Sequence, residues 1–148
     1  MRVLLLPGWL DSGPGHWQTL WEAKHGDRRV TQADWLWPKR GDWMAQLEDV
    51  LLADDRPALL VAHSLGCQLV AAWAAHSRQT ARVQGALLVA PPDLEREDLP
   101  PNLVPWRPVV RRRLPFAAIA VTSGNDPYCA PERGAQMARD WGAEPIDI

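Results

Sequence analysis

Long hydrophobic runs, cysteine and an excess of charge of either sign are all scarce in this sequence. No apolar stretch approaches the roughly 20 residues that cross a bilayer. The apolar run at Met1–Leu6 meets Pro7-Gly8 too early to form the core of a secretory leader. The protein is therefore expected in the cytoplasm, with no membrane partner. Sixteen basic and 18 acidic residues leave a formal charge of −2, which offers no strong field for nucleic acid or an anionic surface. The two cysteines, Cys67 and Cys129, stand in no metal-ligand or Cys-x-x-Cys spacing. That argues against a disulfide framework or a zinc site, and both read as small buried residues. Phenylalanine and tyrosine occur once each, whereas there are nine tryptophans, with Trp9, Trp17, Trp21, Trp35 and Trp37 crowded near the start. Most read as filler of a small core, and Trp9 as the lining of a pocket.

At 148 residues the chain has the size of one domain, 1–148, around one core. The apolar run closed by Pro7-Gly8 suits a strand buried on both faces. His16–Lys24 has helical spacing, and Arg28–Trp35 the composition of a short second strand. Asp42 is placed to cap a helix through Leu52. Ala58–Ala62 reads as a buried strand and Leu65–Ala75 as a small-residue helix packed against a sheet. Val83–Ala90 and Phe116–Thr122 are further strands, separated by a proline-rich, arginine-bearing excursion from Pro91 to Pro115 of the kind that forms lids. Pro131–Trp141 reads as a helix opened by Pro131, and Glu144–Ile148 as a last strand. This alternation predicts an α/β architecture: a mainly parallel sheet with helices on both faces and sites at the strands' carboxyl ends.

The chemistry concentrates there. Ala62-His63-Ser64-Leu65-Gly66 falls where a buried strand turns into a helix, the context that presents a serine hydroxyl as a nucleophile. Small residues two before and two after the serine are what such a tight turn requires, and Ala62 stands where glycine is commoner. The alternative is that Ser64 only caps the helix. For an oxyanion, the N–H of Leu65 is the first donor and that of Trp9, in the Pro7-Gly8-Trp9 loop, the second. Asp126, in Ser123-Gly124-Asn125-Asp126-Pro127 just past a strand, is the acid that would orient a base, or else a turn-forming aspartate.

Leu6-Pro7-Gly8-Trp9, Gly15-His16-Trp17, Ala62-His63-Ser64-Leu65-Gly66-Cys67 and Ser123-Gly124-Asn125-Asp126-Pro127-Tyr128-Cys129 together resemble the small serine hydrolases related to retinoblastoma-binding protein 9 and bacterial YdeN. The resemblance covers essentially the whole chain. It implies the α/β-hydrolase fold, Ser64 as nucleophile, Asp126 as acid, and no metal or organic cofactor. It also implies a histidine delivered by a loop after the last strand, and no histidine follows His76. The fold is therefore expected to be incomplete at its C-terminus. His63 should point away from Ser64 and be structural, His16 should fix a loop at the pocket, and His25 and His76 should be solvated helix ends.

These readings predict a serine hydrolase that acts on a small-molecule ester, thioester or amide through an acyl-serine, with Gly8, His16 and Trp106 lining the pocket. The alternative is a catalytically impaired relative that binds a ligand or protein through Trp9, Trp106 and Arg111-Arg112-Arg113, although such an arginine cluster is more often a solvated face.

Overall fold

The computed structural model describes residues 1–148. Six strands form one sheet: β1 (Arg2–Leu6), β2 (Arg28–Arg29), β3 (Ala58–His63), β4 (Val83–Val89), β5 (Ala117–Thr122) and β6 (Glu144–Asp147). Their spatial order is β2-β1-β3-β4-β5-β6, and every neighbouring pair is parallel. The helices are α1 (Trp17–His25), α2 (Arg40–Leu52), α3 (Leu65–His76) and α4 (Pro131–Trp141), and 3-10 turns precede β4 at Thr80–Arg82 and follow it at Pro101–Trp106.

Alternate strand residues divide between the two faces of the sheet. Leu4, Leu6, Leu60, Ala62, Leu88 and Ala120 join a cluster of 32 buried residues that includes Leu47 of α2, Leu69 of α3 and Met137 of α4. On the other face Val3, Leu59, Val61, Leu87 and Ile119 line, with Trp21 and His25 of α1, an open groove of about 770 Å³. Helix α3 is buried from Leu65 to Trp73, which explains its run of small and apolar residues. Helix α4 begins at Pro131, where a missing N–H costs nothing, and ends at Gly142 in the left-handed region.

Three expectations need correction. The second strand pairs only at Arg28 and Arg29, because the following residues turn: both Leu36 and Trp37 donate their N–H groups to the Asp34 carboxylate, 3.0 and 2.9 Å. Helix α2 starts at Arg40 after Lys39, so Asp42 lies inside the first turn and caps nothing. There its charge still faces the positive end of the helix dipole.

Trp106 is the third. It is core rather than pocket wall: it is 1% exposed, its Nε1 donates to Pro38 O at 2.9 Å, and its ring meets Trp43 edge-on with centroids 5.3 Å apart. An indole whose N–H finds an acceptor gains most by full burial. The surrounding excursion is correspondingly docked. Leu94, Leu99, Leu103, Val109 and Leu114 are buried, and Arg107 donates to the carbonyls of Leu94 and Arg96.

Candidate active site

Strands β1, β3 and β4 lie side by side, and their carboxyl ends carry all the backbone strain outside glycine. Leu10, Asp11, Ser64 and Ala90 have φ of 67°, 66°, 53° and 55°, and each follows closely on one of those strands. Strain of this kind clusters where a site must be held in shape. Ser64 joins β3 to α3 with φ 53° and ψ −121°. Its N–H donates to Val89 O at 2.9 Å, and its carbonyl accepts from Cys67 N–H at 2.8 Å. It occupies the N-cap position, yet its side chain makes no capping bond, so the capping alternative is not the one the chain adopts.

The two nearby glycines are steric necessities. A Cβ on Gly66 would sit 2.3 Å from Leu6 O, and one on Gly8 would sit 2.9 Å from Ser64 Cβ and 3.2 Å from Leu65 N. Helix α3 therefore starts hard against the end of β1, and the loop after β1 passes directly over the serine.

A cavity of about 270 Å³ opens at this point, walled by Gly8, Trp9, His16, His63, Ser64 and Leu65 and, from the excursion, by Arg96, Leu99, Pro100 and Leu103. Leu65 is the first residue of α3, where a backbone N–H has no partner within the helix. The indole of Trp9 is anchored by its Nε1 to Leu36 O at 2.8 Å. Gln18, which stands in no sequence motif, holds this loop in place. Fully buried, it donates to Leu6 O and Val61 O at 3.2 and 3.1 Å and accepts from the Ser12 hydroxyl at 2.7 Å. Arg29 adds a bond to Asp11 at 2.9 Å and one to Ser12 O at 3.0 Å.

His16 caps α1: its Nδ1 accepts the Gln18 N–H at 3.1 Å. The neutral ring must then carry its proton on Nε2. His63 shares the cavity wall with the serine, and its ring stands edge-on to His16 with centroids 4.5 Å apart. Burial and then the neighbouring His16 lower the His63 pKa from 6.5 to about 4, while burial, with Arg29, lowers that of His16.

Between about pH 6.5 and 4 the unfolded chain therefore holds a proton at residue 63 that the folded chain refuses, so stability falls as pH drops through that window. Urea unfolding at pH 7 and pH 4.5 should show this loss, and His63→Gln should reduce it. An equal loss in the variant would assign the effect elsewhere.

Asp126 follows β5 at the same edge of the sheet. Its Oδ1 accepts the Tyr128 N–H at 2.8 Å, the bond of a turn-forming aspartate. Tyr128 reaches the cavity wall, whereas Asp126 and Trp106 do not line it. His25 and His76 are exposed residues ending α1 and α3, and Arg111, Arg112 and Arg113 form an exposed face. Cys67 and Cys129 are buried free thiols; burial pushes Cys67 far up and Cys129 up to about 11, so neither is a thiolate nucleophile at neutral pH.

Comparison with known proteins agrees with this architecture. A YdeN-like hydrolase from Pectobacterium atrosepticum superposes with a TM-score of 0.85 at 24% identity, covering 99% of this chain and 76% of that one. The ydeN gene product of B. subtilis gives 0.69 at 20% identity, over 99% and 84% of the two chains. A hydrolase from Oleispira antarctica gives 0.73 at 11% identity, over 100% and 82%. Among curated proteins no sequence matches. The sequence model described as serine hydrolase matches residues 3–148, nearly the full length, and the chain belongs to that family.

Proposed function

We propose that Ser64 is the nucleophile of an acyl-transfer reaction on a small ester, thioester or amide. Its Oγ attacks the carbonyl carbon, the leaving group departs with a proton, and water releases the acyl group from the serine. The observation that carries this reading is the strained backbone at Ser64, between a buried strand and a buried helix, with its hydroxyl left out of helix capping. A serine needed only as a cap has no reason to hold φ at 53°. The Leu65 and Trp9 N–H groups hold the oxyanion in this scheme, a reading supported by the close approach of Gly8, the residue before Trp9, to Leu65 N. Asp126 is the acid that orients a base. The reading invokes no membrane or nucleic-acid partner, and a cytoplasmic location is part of the proposal; no helix is long and apolar enough to cross a membrane.

The base is the part the cavity wall does not supply. His16 has its acceptor nitrogen occupied by Gln18 N–H, and His63 binds a proton only near pH 4, which makes it a feeble acceptor. That observation favours a second reading, a cavity that binds acyl compounds with little turnover.

Intact-mass analysis after exposure to a fluorophosphonate separates the two. Ser64 activated by any base displaces fluoride and gains the phosphonyl mass, and Ser64→Ala gains none. Absence of an adduct on the unaltered chain overturns the nucleophile assignment and leaves the binding reading, for which Ser64→Ala should keep its ligand affinity.

A further inference from the structure

We infer that the cavity beside Ser64 selects acyl compounds whose short apolar chain ends in a carboxylate, and that Arg96 is the residue that recognises it. The inference deepens the proposed function by naming a substrate class, but the recognition is a binding property of the wall and does not depend on Ser64 being reactive.

Most of the wall away from the serine is apolar: Leu10, Pro92, Leu99, Pro100 and Leu103 enclose a space of about 270 Å³, suited to a small ligand. Four ionisable groups besides Tyr128 interrupt it: Asp11, His16, His63 and Arg96. Asp11 is already answered, because its Oδ1 accepts from Arg29 Nη1 at 2.9 Å and from Ser12 N–H at 2.7 Å. Burial keeps both histidines neutral at pH 7. Arg96 remains as the cation of the cavity.

Its bonding is incomplete on one side. Nη1 donates to Pro127 O at 3.2 Å, and the guanidinium carbon lies 5.3 Å from the centroid of the Tyr128 ring, which fixes its plane. Nε is buried and makes no hydrogen bond. An Asp98 carboxylate oxygen is 3.3 Å from Nε, out of hydrogen-bond alignment, and Asp98 is 82% exposed, so water screens its pull. The nearby Asp93 and Glu95 are engaged by Arg133, and Glu95 also by Arg111. Nε is therefore closed to a ligand, and Nη2, which makes no hydrogen bond within the chain, is the donor left for a substrate carboxylate in a single charge-assisted bond. A neutral substrate tail would leave Nη2 to water, whereas an anionic one takes its hydrogen bond and answers its charge.

The test uses the full chain carrying Ser64→Ala, so that nothing turns over. Calorimetric titration at low ionic strength compares monomethyl succinate with methyl 4-methylpentanoate, in which a neutral branch of the same shape replaces the carboxylate. The succinate ester is expected to bind about tenfold more tightly, as one charge-assisted hydrogen bond warrants. Arg96→Met should abolish that advantage, the two esters then binding with equal affinity. Asp98→Asn, at an exposed position that threatens no core, should enlarge it. Equal binding of the two esters, no binding of either, an advantage that survives Arg96→Met, or one that Asp98→Asn leaves unchanged would each overturn the inference. None of these outcomes bears on fluorophosphonate labelling, so the two claims fail separately.

Discussion

Gly66→Ala is expected to destabilise the protein by about 3 kcal/mol or more, at or beyond the upper end of what an extra methyl group costs in a packed interior. The added carbon would lie 2.3 Å from Leu6 O, 3.0 Å from Leu6 C and 3.1 Å from Pro7 O. All three are backbone atoms, so no side-chain rotation relieves the clash. Relief requires the start of α3 to move off β1, and that movement carries Ser64 and the Leu65 N–H away from the loop over them. Two measurements should therefore change together: the urea midpoint should fall, and Ser64 should lose its fluorophosphonate adduct even where the variant is still folded. A loss under about 1 kcal/mol, with labelling intact, would mean that the close approach of α3 to β1 is not a constraint.

Trp106→Ala should cost about 3–5 kcal/mol, the range for removing a buried aromatic side chain. The indole is fully enclosed, stacks edge-on against Trp43 and satisfies Pro38 O, so truncation opens a void and leaves a buried carbonyl without its donor. Trp106→Phe separates these contributions, since it keeps much of the volume and loses only the N–H. Denaturant midpoints with unchanged slopes would show that stability alone has altered. A wild-type midpoint for Trp106→Ala would return this residue to the pocket role that its place in the excursion first indicated.

What the sequence disclosed, and what it concealed, follows from the range of the interactions. Strands β1 and β3 are legible because their continuous apolar runs are those of central strands of a parallel sheet, and α4 because Pro131 and Gly142 mark its ends within the chain itself. The turn at Ser64 is legible because its steric demands fall on immediate neighbours. Trp106 misleads because proline-rich surroundings read as an exposed lid, while its burial depends on Pro38 and Trp43, far away in the chain. The second strand is overestimated because Asp34 captures two backbone N–H groups locally, a competition that composition does not display. Gln18 and Arg96 carry no pattern at all: each matters through partners on other elements, Leu6 and Val61 for the first and Tyr128 and the cavity for the second.

The strand order has a kinetic consequence. No two neighbours in this sheet can form as a local hairpin, since every pair is parallel and each connection must travel the length of the sheet before pairing. The meeting of Gly8 with Ser64 depends on β1 pairing with β3 across the whole of α1, β2 and α2. Contacts so distant in sequence are made late and raise the folding barrier. A partly folded chain, however helical, has no cavity, so ligand binding during refolding should appear with the last phase and not with the first gain of secondary structure.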